Sequence, residues 1–123
     1  MIQGLHELIL YVKDMEAQVK FYRDVLGLAV LYPAGLTHYA NEYWVTLNVG
    51  NCVIALHGGG QGRLGPDSPK MVFKVADIEA ARLKLVSKGL PLSAVRNPAP
   101  GVYVCDGSDP EGNSLSIESA QSS

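Results

Sequence analysis

At 123 residues the chain can bury roughly two-thirds of its unfolded surface, so nothing about its size demands a metal or a disulfide for stability. A net charge of −2 with interspersed signs offers no basic footprint for nucleic acid, and no apolar run approaches a membrane span. Met1-Ile2-Gln3 is not a secretory leader, which places the expected compartment in the cytoplasm, and Cys52 and Cys105 stand singly in β-like segments, as buried reduced thiols do.

Leu5–Val12 (LHELILYV) reads as a strand. A helix follows over Met15–Leu26. The Asp14 carboxylate can accept from the unpaired N–H groups of its first turn, and Glu16 adds negative charge at the positive end of the dipole. Met15, Val19, Tyr22 and Val25/Leu26 recur three or four apart as one apolar stripe, and Gly27 supplies the left-handed residue that ends a helix. Leu28–Tyr32 is a second strand, stopped at Pro33-Ala34-Gly35, and Leu36–Glu42 is a polar loop. Tyr43–Val49 and Cys52–His57 form a hairpin about Gly50-Asn51.

Gly58–Pro69 (GGGQGRLGPDSP) is a linker by composition. It is expected to be exposed and mobile, with Leu64 as its one apolar anchor. No Gly-Lys-Ser/Thr follows its glycines, which argues against a phosphate loop. Then come a strand at Lys70–Val75, a helix within Asp77–Lys88, a weak strand at Leu92–Val95, and strands at Val102–Cys105 and Ser114–Glu118. Asp109-Pro110-Glu111-Gly112-Asn113 is a turn between the last two. Ser119–Ser123 is a polar tail, expected to fray.

The first helix recurs. An offset of 63 residues carries Val12, Asp14, Met15, Glu16 and Ala17 onto Val75, Asp77, Ile78, Glu79 and Ala80, and with one deletion Gly27-Leu28 onto Gly89-Leu90. The chain is therefore a tandem of two β-α-β-β-β modules, residues 1–57 and 70–119 around the linker 58–69. The fold class expected is α+β, with curled mixed sheets and helices on their outer faces. Strand alternation turns Leu8, Leu10 and Val12, like Met71, Phe73 and Val75, toward the helices. Glu7, Ile9 and Tyr11, and Lys70, Val72 and Lys74, take the opposite, concave side.

Val12-x-Asp14 followed by Phe21-Tyr22-Arg23-Asp24-Val25-Leu26-Gly27-Leu28, and Asp109-Pro110-Glu111-Gly112-Asn113 before the last strand, resemble the vicinal oxygen chelate superfamily. That group holds glyoxalases, extradiol dioxygenases, fosfomycin-resistance enzymes and bleomycin-resistance proteins. The resemblance implies that each module curls into half a cup, and that enzymes of this type hold a divalent metal through four ligands, usually His and Glu. Those four positions fall here on Glu7, Ala55, Lys70 and Ser116. Ala has no donor atom, Ser is a poor neutral ligand, and Lys brings an ammonium into the coordination sphere. Glu7 and Lys70 are expected instead to form an ion pair.

Two readings from different classes result. One is a metal-free and cofactor-free binding protein of the bleomycin-resistance kind, with a pocket of Glu7, Ile9, Tyr11, Trp44, Ala55, His57, Lys70, Val72, Tyr103, Ser116 and Glu118, and a small molecule as its partner. The other is a lyase, isomerase or dioxygenase with a metal shifted onto Glu7, His57 and Glu118. A homodimer is expected from the resemblance alone.

Overall fold

In the computed structural model, which describes residues 1–65 and 67–120, the chain divides into two compact units, Met1–Arg63 and Leu64–Ser123. In the first, β1 (Glu7–Val12) is followed by α1 (Met15–Lys20) and a π-helical turn (Phe21–Val25), then β2 (Ala29–Tyr32), β3 (Trp44–Asn48) and β4 (Val53–Gly58). The sheet order is β1-β4-β3-β2, with β1 parallel to β4 and the other pairs antiparallel. In the second, β5 (Met71–Lys74), α2 (Ile78–Ser87), β6 (Arg96–Ala99), β7 (Val102–Ser108) and β8 (Ser114–Ala120) repeat that order as β5-β8-β7-β6. The expected α+β pair of β-α-β-β-β modules is what the chain forms. No helix among the described residues is long and apolar enough to cross a membrane.

The two helices start by the same chemistry. Asp14 Oδ1 accepts from Ala17 N at 3.0 Å, and Asp77 Oδ1 from Ala80 N at 3.1 Å, each in an extended N-cap conformation. They continue differently. The stretch expected to be α-helical to Leu26 leaves the α repeat after Lys20, and Leu26 N donates to Phe21 O at 3.0 Å across five residues. That widened turn carries two adjacent buried rings, Phe21 and Tyr22, which meet edge to face at 5.1 Å. Below α1 lie Val12, Val45, Leu47, Ile54 and Leu56. Between α2 and its sheet the core is Ile78, Cys105 and Ile117, with Phe73, Val75, Leu85, Leu92, Val95 and Tyr103 packed around it.

Three expectations about the chain path need correction. The sixth strand is not Leu92–Val95 but Arg96–Ala99, an edge strand whose Pro98 costs no interior ladder bond. Leu92 and Val95 fill the core from a loop, which Arg82 Nε fastens by donating to Ser93 O at 2.9 Å. The glycine linker is tied down at its start rather than loose throughout. Gly58 ends β4 and donates to Tyr43 O at 2.8 Å, and Gly60 N donates to Val12 O at 2.9 Å. A Cβ on Gly60 would sit 2.8 Å from the backbone of Tyr11 and Val12, so only glycine lets these two segments lie this close. The tail expected to fray contributes Ser119 and Ala120 to β8, and residues 121–123 lie outside the described residues.

Candidate functional site

On the first module the sheet register lines up two rows of side chains on the face away from α1. Ile9, Ala55 and Thr46 are neighbours in one row, and Tyr11, His57 and Trp44 in the next. The Tyr11 and His57 rings are 4.9 Å apart, and Trp44 meets His57 edge-on at 5.9 Å. Tyr43 completes the cluster at 4.9 Å from His57. It has the wrong parity for this face, but the glycines after His57 give it room. A Cβ on Gly58 would lie 2.8 Å from the Tyr43 ring, and one on Gly59 2.8 Å from its hydroxyl oxygen. The rings are uncovered, Tyr11 being 63% and Tyr43 64% exposed.

His57 itself is half-buried, with Nδ1 2.6 Å from Gly58 O. Glu7 is not part of this cluster. It pairs in register with Val53, at the other end of β1 and four residues from Tyr11, a distance of about 13 Å along the strand. Glu7 and His57 therefore do not converge on one ion, and among the described residues no group of three or more His, Cys, Asp or Glu side chains does.

On the second module the corresponding face is ionic. Lys70 Nζ donates to Asp106 Oδ1 at 2.6 Å, Arg96 Nε donates to Oδ2 at 2.7 Å, and Ser116 Oγ donates to Oδ1 at 2.6 Å. Asp106 sits opposite Ser116 in the β7–β8 register, and Val72 faces Ser116 from β5. Hydrogen bonds from Arg96, then from Lys70 and Ser116, hold the Asp106 carboxyl well below the usual carboxylate range. The same Arg96–Asp106 bond raises the guanidinium in return. Glu118 pairs in register with Lys74 and Val104, and its charge also favours the Arg96 cation.

Of the residues expected in a pocket, Ile9, Tyr11, Trp44, Ala55 and His57 come together on the first module, and Lys70, Val72, Ser116 and Glu118 share a face on the second. Tyr103 does not join them. It shares the parity of Cys105 and packs with it on the α2 side, so it is a core residue rather than a pocket wall. Asp106 and Tyr43 are the additions. Asp106 was hidden because its strand reads as ending at Cys105, three residues short of its end at Ser108.

Three of the four metal positions implied by the resemblance do not suit a cation. Ala55 has no donor, Lys70 presents an ammonium, and the Ser116 hydroxyl spends its proton on Asp106. Asp106, the carboxylate bonded to Lys70 and Ser116, already carries two cations.

Two β-α-β-β-β modules, each with its first and last strands parallel, define a paired-module α+β class. The family model for the Glyoxalase/Bleomycin resistance protein/Dioxygenase superfamily matches residues 4–117, and the chain belongs to that superfamily. Among solved structures it is similar to an antibiotic-binding protein from Streptomyces, at 20% identity and TM-score 0.77 with 98% of each chain covered. It is also similar to a lactoylglutathione lyase from Agrobacterium tumefaciens, at 20% identity and TM-score 0.73, covering 97% of this chain and 95% of that one. An integron cassette protein from the mobile metagenome of Halifax Harbour sewage outfall matches at 25% identity and TM-score 0.72, covering 96% and 99%. No curated protein matches the sequence.

Proposed function

We propose that the protein binds a flat, largely apolar small molecule against the aromatic face of its first module, and does so without a metal ion. The observation that carries this reading is the convergence of Tyr11, Tyr43 and Trp44 on His57, with the two tyrosine rings uncovered. Exposed aromatic rings grouped about an imidazole offer stacking area with a polar group at its centre to orient a ligand. The antibiotic-binding protein from Streptomyces is in keeping with such a use of the fold.

The donor chemistry supports the metal-free half of the reading. A dication near Lys70 would meet an ammonium, and taking Asp106 as a ligand would strip Lys70 and Arg96 of their counter-ion. A thermal-shift screen of chelator-treated protein against polycyclic aromatic compounds tests both halves. A ligand at a hundredfold excess over its Kd stabilises the fold by about 2.7 kcal/mol, a readily measured rise in Tm. Shifts that appear only after a divalent metal is restored, with near-stoichiometric metal in the untreated protein, would replace this reading with a metal-dependent enzyme.

A further inference from the structure

We propose that His57 selects the ligand through Nε2, as a hydrogen-bond acceptor, so that the molecule seated on the first module's face is a flat aromatic compound bearing a phenolic O–H or a ring N–H. This rests on the binding reading above and names the ligand's chemistry.

The argument starts at Gly58. Its carbonyl oxygen lies 2.6 Å from His57 Nδ1, and a carbonyl can only accept, so Nδ1 carries the proton. In the neutral ring that leaves Nε2 with a lone pair and no proton. Among the described residues no donor engages Nε2 and no carboxylate forms an ion pair with the ring. Its neighbours are instead the rings of Tyr11, Tyr43 and Trp44, from both strands that flank His57 and from the residue before β3.

The bare glycines fix this arrangement. With no side chain at Gly58 or Gly59, Tyr43 lies over the end of β4 beside the imidazole whose tautomer Gly58 sets. The result is an imidazole acceptor at the centre of an aromatic surround. Any flat molecule can use the ring faces, but a molecule that covers Nε2 without a donor removes its water and returns nothing. A carboxylate would set acceptor against acceptor. The face should therefore rank aromatic donors first, neutral ethers second and carboxylates last.

Calorimetry on the chelator-treated full chain with three probes, naphthol, its methyl ether and naphthoate, tests the ranking. Naphthol should bind about tenfold more tightly than the ether, the effect of one hydrogen bond made against one acceptor left unsatisfied. In His57→Phe, which keeps a ring and loses the acceptor, naphthol and the ether should bind within about twofold of each other, the naphthol weakened by its lost hydrogen bond and the ether no weaker than on the wild type because no acceptor is left unsatisfied beneath it. Should that variant fail to fold, nitrogen NMR of the wild-type histidine serves instead. The unprotonated Nε2 signal should move with naphthol and stay put with the ether. Equal affinity of wild type for naphthol and ether, or a preference for naphthoate, would overturn the acceptor role and leave the aromatic face standing as a binding surface. Failure of all three probes to bind would overturn both.

Discussion

The two modules repeat one backbone and present opposite chemistry on it. Where β1 and β4 place Tyr11 beside His57, β5 and β8 place Lys74 beside Glu118, and where β3 offers Thr46 to Ala55, β7 offers Asp106 to Ser116. One face is ringed by aromatic groups with a single half-buried imidazole; the other is knit by a carboxylate, two cations and a hydroxyl. Because the registers of β1-β4-β3 and β5-β8-β7 agree, most of the difference lies in side chains at matching positions. With the proposed function, the duplicated scaffold assigns recognition to one copy and charge-based cohesion to the other.

The sharpest break in that comparison comes at Asp106. Asp106→Ala should leave Lys70 and Arg96 facing each other without a counter-ion, lowering stability by about 2 kcal/mol after allowance for its partial exposure. Urea unfolding with an unchanged m-value would register it, and aromatic ligand affinity should not move. The pH dependence sharpens the point. Asp106 titrates lower in the folded chain than in the unfolded one, so its stabilising effect is complete above about pH 4, where unfolded carboxylates are ionised. It is lost as the pH falls further toward the depressed folded value, and the gap between wild type and Asp106→Ala should close only in that acid range.

Smaller effects come next. Lys70→Met removes one of the two cations on Asp106 and keeps Arg96, so it should cost only about 0.5–1 kcal/mol in the same assay. Tyr11→Ala sits on the other face and is largely exposed, so it should change stability by less than about 0.5 kcal/mol. Its effect should appear instead as weakened binding of aromatic probes. A Tyr11→Ala protein that lost more stability than Asp106→Ala would reverse the roles given to the two faces.

Most of the fold was legible because its signals are local. Asp14 and Asp77 cap their helices, Gly27 and Gly89 adopt positive φ just past the helical segments, and strand alternation sorted Ile9 and Tyr11 from Val12. What escaped depends on pairing between segments. The apolar Leu92 and Val95 looked like a strand because burial and β pairing leave the same composition, and Pro98 disguised the strand that follows. The π-helical turn uses the same residues as an α-helix and differs only in which carbonyl each N–H reaches. Tyr43 was missed because parity assigns it away from His57, and only the missing side chains of Gly58 and Gly59 let it return. Asp106 needed the β7–β8 register. The sequence showed that Lys70 required a counter-ion without showing that one lay within its own module.

The most direct test of the account is amide chemical-shift mapping of chelator-treated protein during titration with an aromatic hit from the thermal screen. Perturbations should concentrate at residues 9–11, 43–46 and 55–60, and the backbone around Asp106 should stay quiet. Binding that appears only with added divalent metal, or shifts confined to Lys70, Arg96, Asp106 and Ser116, would contradict it.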